Sequence, residues 1–268
     1  MAAKLERAWR PSGVVSLLTD FGLVDPYVGV MHGVILAGAP RARVVDLTHG
    51  VPAQDIAVAA FYLERSWKYF PVGSVHLAVV DPGVGSDRRI LAVSHGGHIF
   101  LAPDNGLLTA FCADATWVRS LDIERFSLAE RSRTFHGRDV FAPTAARLVE
   151  GLDPRELGPV CDDPELRPIG GPRRISERAV EAHVLLVDRF GNLVTDLRAV
   201  DLEGSASQWV ARVGERRIPI LATYSDARAG ELIALVDSFG CVELAVVKGS
   251  AARRLALSPG AKVRFERT

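Results

Sequence analysis

A chain of 268 residues, 48% hydrophobic and 24% charged, has ordinary globular composition and can build one large domain or two modest ones. Lys plus Arg and Asp plus Glu each number 32, so the chain lacks the basic excess that nucleic-acid binding draws on. Its three cysteines, Cys112, Cys161 and Cys241, are widely spaced and odd in number, a pattern from which neither a disulfide framework nor a zinc site follows and which points to the reducing cytoplasm.

In chain order, the first ten residues are polar and lack the apolar stretch of a signal peptide. No later apolar run approaches the roughly 20 residues needed to cross a bilayer, so no membrane partner is expected. Residues 14–19 form a short apolar run ending at Asp20-Phe21-Gly22, as a buried strand entering a turn does. Pro26 opens a helical stretch through Ala37, and residues 43–47 return to strand. Residues 55–69 place Ile56, Ala59, Ala60, Leu63 and Trp67 at helical spacing. Residues 75–80 are β-rich and run into Asp81-Pro82-Gly83-Val84-Gly85, which no helix accommodates. Gly96-Gly97, between residues 90–93 and 98–101, is a hairpin signal, and a last helix is predicted over 140–150. The alternation predicts an α/β fold whose amino-terminal domain, 11–165, holds a Rossmann-like, mostly parallel sheet covered on both faces.

From 152 to 178 the pattern breaks at Pro154, Pro159, Pro164, Pro168, Pro172 and Gly170-Gly171, which predicts a surface linker. Beyond it, short β-type runs at 182–187, 209–213, 232–236, 242–247 and 262–265 predict a small antiparallel barrel or sandwich over 178–268. No internal repeat stands out.

Ligands of an open parallel sheet collect beyond the carboxyl ends of its strands. Asp20 and Asp81 both follow such ends, although a lone Asp there often only caps a turn. Arg88 lies across a tight glycine turn from Asp81 and can fold back to pair with it; Asp81 would then orient a nucleophile better than accept a proton. His136, in Thr134-Phe135-His136-Gly137-Arg138-Asp139, stands in a polar loop just before a helix, whereas His32, His76 and His183 fall in periodic segments as packing or surface residues. His95 and His98 straddle a turn, too little for a metal site, and no metal is expected. Asp104-Asn105-Gly106 reads as a turn opening a helix. Asp188-Arg189-Phe190-Gly191-Asn192 sets a carboxylate, a ring and an amide on one short turn, able to hold an ammonium group, stack a base and bond its edge, or else a plain β-turn with a buried Phe. The usual dinucleotide, phosphate-loop and serine-hydrolase signatures are absent.

Several of these segments together resemble the S-adenosylmethionine hydroxide adenosyltransferase family, relatives of the fluorinating and chlorinating enzymes. The matching stretches are LLTDFG (17–22), DPYVGVMHGVI (25–35), DLTHGVPAQDI (46–56), DPGVGSDRR (81–89), APDNGLLT (102–109), TFHGRD (134–139), DRFGNLVTDL (188–197) and DSFG (237–240), in order along nearly the whole chain. The resemblance implies a carboxy-terminal β-barrel and a homotrimer whose sites lie between one subunit's first domain and a neighbour's second. S-adenosyl-L-methionine is then the substrate, split by water or hydroxide at the ribose 5′ carbon into adenosine and L-methionine, with no cofactor. Asp20 matches the residue that binds the ribose hydroxyls. Asp188 and Ser238 match positions holding the methionine ammonium and carboxylate, and Phe190, Asn192 and Tyr224 those that stack and read adenine. Asp81, Arg88 and His136 match the polar triad that positions the nucleophile, with the proton acceptor left open between Asp81 and His136.

Halogenating relatives carry a tyrosine at the place of Asp81 and a threonine at Val84, and a carboxylate at 81 would repel a halide. Gly137 counts against fluoride but not against chloride, so a chloride-using halogenase stays as one alternative, and a non-catalytic module binding S-adenosylmethionine or adenosine as another. Val247 stands where relatives often have Asn, which weakens one adenine contact.

Overall fold

The structure, a computed structural model, describes residues 9–167 and 170–268. Most of the polar amino terminus, residues 1–8, and Pro168 of the predicted linker lie outside the described residues. The chain divides into two compact units between residues 169 and 170.

The first unit holds β1 (Val14–Thr19), β2 (Arg43–Thr48), β3 (Val75–Val79), β4 (Ile90–His95), β5 (His98–Pro103) and β6 (Trp117–Ser120). They form one sheet in the order β2-β1-β3-β5-β4-β6, with β2, β1, β3 and β5 parallel. Only β4 opposes its neighbours, because Gly96-Gly97 turns the chain straight back into β5. The helices are α1 (Tyr27–Gly38), α2 (Ile56–Ser66), α3 (Thr109–Cys112), α4 (Ile123–Phe126) and α5 (Ala142–Val149). Strand side chains alternate between faces. Val15, Leu17, Val75, Leu77 and Val79 therefore share one core with Met31 and Ile35 of α1 and Ala145 and Leu148 of α5.

Two predicted helices change at their ends. The 55–69 stretch splits into α2, capped where Asp55 Oδ1 accepts the Val58 N–H at 3.0 Å, and a 3-10 turn at Trp67–Tyr69. Ahead of α5 the backbone widens into a π turn over Gly137–Phe141, whose N-cap is His136. Such bulges re-aim side chains beside functional sites.

The second unit contains β7 (Arg173–Ser176), β8 (Ala179–Val187), β9 (Leu193–Arg198), β10 (Trp209–Val213), β11 (Arg216–Leu221), β12 (Leu232–Val236), β13 (Cys241–Val246) and β14 (Lys262–Arg267), with a short helix α6 (Ala251–Leu255). Pairing of β14 with β8 closes a barrel in the order β8-β9-β13-β12-β11-β10-β14, and β7 adds to the outside of β8. Every pair is antiparallel except β11–β12. Trp209, Leu244, Val263 and Phe265 fill the interior.

Besides β6 in the first unit, three strands of the second escaped the sequence reading, each of the three for a physical reason. β9 buries Thr195 and Asp196, with Thr195 Oγ1 satisfied at 2.5 Å by the Val242 carbonyl. β11 carries Arg216, Arg217 and Pro219. β7 lies inside the predicted linker, but all four of its residues are exposed, so it has no apolar alternation to read.

Candidate active site

Thr19 of β1 is in register with Val79 of β3, so Asp20 and Asp81 leave the sheet at the same carboxyl-terminal edge. Asp20 Oδ2 accepts the Gln54 N–H at 2.8 Å. Phe21 N donates to Thr19 Oγ1 at 3.2 Å and Gly22 N to the His49 carbonyl at 2.9 Å, which fixes the turn that carries Asp20.

The turn after β3 doubles back so that Arg88 grips Asp81 in a fork: Nε donates to Oδ1 at 2.7 Å and Nη2 donates to Oδ2. Both side chains are buried, at 9% and 6% exposure. Arg88 Nη2 also lies 3.0 Å from His136 Nδ1. The structure thus brings Asp81, Arg88 and His136 into one hydrogen-bonded cluster. Gly85 lets the loops meet, because a β-carbon there would sit 2.7 Å from the Arg133 carbonyl oxygen. Asp139, buried below, accepts from Arg138 Nε at 2.5 Å and from Ser132 N at 2.7 Å and so pins the loop that presents His136. Asp139 was not singled out in the sequence, since an acidic residue at a helix start looks like an ordinary cap.

Arginine is a donor only, so His136 Nδ1 must be the acceptor in this contact, and the neutral ring then carries its proton on Nε2. Burial, together with the Arg88 charge, lowers the His136 pKa and keeps the ring neutral. Arg88 Nη1 is buried with no hydrogen-bond partner among the described residues. A guanidinium proton held out of water without an acceptor is poised for one. Phe135, next to His136 in the chain, packs edge to face with Phe21 and Tyr27, with ring centroids 5.2–6.0 Å apart. They form an apolar wall.

Gly137 packs into that wall. A β-carbon on it would stand 3.1 Å from Met31 Sδ, 3.2 Å from the Phe135 ring and 3.3 Å from the Phe21 ring. Gly137→Ser is therefore expected to destabilise the protein by about 1–3 kcal/mol through overpacking. The urea midpoint should fall accordingly, and an unchanged midpoint would show slack in the aromatic wall.

In the second unit Asp188, Phe190, Asn192 and Tyr224 line one cleft of about 800 Å³. Asp188 Oδ1 accepts the backbone N–H of Phe190 and of Asn192, both at 2.8 Å, and Oδ2 accepts Asn192 Nδ2 at 3.0 Å. The turn thus leaves Phe190 77% exposed, against the reading of a buried ring. Asn192 Nδ2 also donates to the Tyr224 hydroxyl at 3.1 Å, and that hydroxyl donates to Glu243 Oε1. Burial and the bond to Glu243 raise the Tyr224 pKa.

Asp237 repeats the Asp188 turn. Its Oδ1 accepts the N–H of Phe239 at 2.8 Å and of Cys241 at 2.9 Å, and Gly240 has φ +80° where Gly191 has +86°. The shared D-x-F-G at 188 and 237 was a repeat visible in the sequence and missed. Ser238 rides this second turn, beside the Cys241–Arg198 pair, whereas the Asp188 turn adjoins Leu193 at the other end of β9. Ser238 does not line the cleft.

The remaining histidines pack or pair. His32 Nε2 meets Asp46 Oδ1 at 2.7 Å, His76 is fully buried, and His183 N donates to Asp196 Oδ1 at 2.8 Å. Among the described residues no group of three or more His, Cys, Asp or Glu could hold a metal ion, and no helix is long and apolar enough to cross a membrane. Asn105 Nδ2 ties its turn to the Val80 carbonyl at 3.0 Å, just behind Asp81.

Comparison with known proteins follows the same division of the chain. The family models for the S-adenosylmethionine hydroxide adenosyltransferase N-terminal and C-terminal domains match residues 15–158 and 182–264. An (R)-S-adenosyl-L-methionine hydrolase from Thermus thermophilus is 40% identical over 265 residues, covering 94% of this chain and 98% of the relative. One from Salinispora tropica is 39% identical over 258 residues, covering 95% and 98%. A crystal structure of an uncharacterized conserved protein from Thermotoga maritima superposes with a TM-score of 0.88 at 33% identity, covering 94% of this chain and all of that one. With both domain models matched in order and two-fifths of the residues shared over nearly full length, the chain belongs to the S-adenosylmethionine hydroxide adenosyltransferase family.

Proposed function

We propose that the protein hydrolyses S-adenosyl-L-methionine to adenosine and L-methionine by attack of water or hydroxide at the ribose 5′ carbon. The observation that carries this reading is the Asp81–Arg88–His136 cluster, with one buried guanidinium nitrogen, Arg88 Nη1, left to donate to an incoming oxygen. The sulfonium is already a good leaving group, so no acid is needed on that side. A C–O bond forms at the 5′ carbon as the C–S bond breaks, and its electron pair stays on sulfur as the neutral thioether of methionine.

What the protein supplies is placement of the oxygen in line with that bond, at roughly 3–3.5 Å, and exclusion of other water. The aromatic wall of Phe21, Tyr27 and Phe135 serves the second task. Because Arg88 occupies His136 Nδ1 and the ring proton sits on Nε2, His136 acts as a donor to the oxygen. Against the expectation that a carboxylate paired with Arg88 would only orient the oxygen, Asp81 is the acceptor left in the cluster once His136 Nδ1 is occupied, and its remaining lone pairs receive the proton that water sheds. By the family's motif positions Asp20 binds the ribose hydroxyls, Asp188 the methionine end, and Phe190, Asn192 and Tyr224 the adenine; Ser238, which lies off the cleft, keeps its place at the methionine end by motif position alone. The same reading carries a homotrimer with sites completed between subunits, a cytoplasmic setting, and no metal or cofactor.

Incubated with S-adenosylmethionine, the purified protein should release adenosine and methionine in equal amounts, unaffected by a chelator. In 1 M chloride it should form no 5′-chloro-5′-deoxyadenosine, since the Asp81 carboxylate repels a halide. Chromatography of the nucleosides decides. Binding of the substrate without release of adenosine would overturn the reading in favour of a binding module.

A further inference from the structure

Asn192 stands at the outer end of a hydrogen-bond chain that runs inward to a buried carboxylate. A side-chain amide nitrogen has two protons. One goes to Asp188 Oδ2 at 3.0 Å and the other to the Tyr224 hydroxyl at 3.1 Å. The capacity left on this amide is the acceptor Oδ1, on a residue that lines the cleft. The direction of the chain is set at both ends, because the Asp188 carboxylate at the outer end can only accept. Glu243, 4% exposed on β13, receives the single phenol proton at Oε1, so the Tyr224 oxygen must accept from Asn192 and cannot donate to it. If Glu243 lost its acceptor role, the phenol proton would be free to compete for Asn192 Oδ1, and Asp188 alone would hold the amide in its orientation.

We propose that Glu243, acting through Tyr224, is a positioning residue that holds the Asn192 carbonyl toward the cleft and thereby selects 6-amino over 6-oxo purines. An acceptor matches the exocyclic amine of adenine and opposes the O6 of hypoxanthine or guanine. Identification of the cleft as the purine site rests on the function proposed above; the polarity of Asn192 rests on the chain of contacts alone.

Burial raises the Glu243 pKa to about 7, with the Asp237 and Asp188 charges adding to it. The ionisable groups that face Glu243 are Tyr224 from its 3-10 turn, Asp188 beyond the end of β8 and Asp237 beyond the end of β12. Above that value Glu243 is a carboxylate and only accepts. Below it the acid can donate to the phenol oxygen, and the chain loses its direction.

Calorimetric titration with adenosine and with inosine at pH 8.5 tests the proposal, alongside adenosine release from S-adenosylmethionine. The wild type should prefer adenosine by on the order of 100-fold. Tyr224→Phe keeps the ring and removes the hydroxyl, and Glu243→Met removes the acceptor at similar volume. Each should narrow the preference about 10-fold, mainly by weakening adenosine. Glu243→Gln still offers a carbonyl to the phenol and should retain most of the preference. In the wild type the ratio should shrink as pH falls from 8.5 to 6. If Glu243→Met does not fold, Tyr224→Phe and the pH series carry the test. An unchanged ratio in the folded variants, or a wild type that binds neither nucleoside, overturns the proposal. A wild type that selects adenosine but leaves S-adenosylmethionine intact overturns only the catalytic reading.

Discussion

Replacing Arg88 with leucine is expected to lower kcat for adenosine release by about 10³-fold, the scale set by removing a preorganised donor from a developing charge. Two contacts fail at once, the fork on Asp81 and the bond to His136 Nδ1, and the waiting donor Nη1 goes with them. The change also leaves the Asp81 carboxylate buried and unpaired, which destabilises by about 3–5 kcal/mol. Fold and chemistry therefore need separating. The double variant Asp81→Asn/Arg88→Leu removes the stranded charge and should regain most of the stability, read by urea unfolding, while adenosine release stays low. Arg88→Lys keeps a cation but cannot bridge a carboxylate and an imidazole together, so its kcat should fall at least 10-fold. A leucine variant within fivefold of the wild-type kcat would remove the guanidinium from the nucleophile's surroundings.

Acid should weaken the fold well before the carboxylates protonate. His76 in β3 is fully buried, with Ser16 Oγ 2.6 Å from Nδ1 and His98 Nδ1 3.0 Å from Nε2. Burial and the neighbouring His98 lower its pKa from 6.5 to about 3. Above pH 6.5 the ring is neutral in both the native and the unfolded chain, and stability does not depend on it. Between 6.5 and about 3 only the unfolded chain takes up the proton, so stability falls as pH falls, by about 1.4 kcal/mol per pH unit. From pH 7.5 to pH 5 the wild type should lose about 2 kcal/mol more than His76→Gln, which cannot titrate. Equal losses in the two proteins would assign the acid sensitivity to other groups.

The parts of the first unit that position chemistry were legible because strand ends and turns announce themselves. A run of apolar residues closed by Asp20-Phe21-Gly22, and another closed by Asp81-Pro82-Gly83, admit few readings, and the parallel register of β1 and β3 follows. The pairing of Arg88 with Asp81 was also foreseeable from a tight turn and opposite charge. The π turn at Gly137–Phe141 was not, since no periodicity distinguishes it from the first turn of α5. In the second unit the sequence hid what a closed barrel conceals. Polar residues inside β9 are satisfied by neighbours far along the chain, as Thr195 is by Val242, so their strand shows no clean alternation. Glu243 was invisible for the same reason: one acid among apolar neighbours reads as a surface position until Tyr224 is brought to it.

The union of β14 with β8 has a kinetic consequence. Ala182 pairs with Val263, so the first full stave of the barrel waits for the last before either has both its neighbours. Loop-closure entropy must be met before such distant partners reward the chain, and folding through them is slow. Until residues 262–267 arrive, the outer edges of β8 and β10 are open templates for a stray strand from another molecule. The first unit closes shorter loops, since its β4–β5 hairpin is local and Val15 of β1 meets Val75 of β3 earlier along the chain than Ala182 meets Val263. Refolding from denaturant should therefore run in two phases, with the second unit the slower and the more prone to clump at high protein concentration.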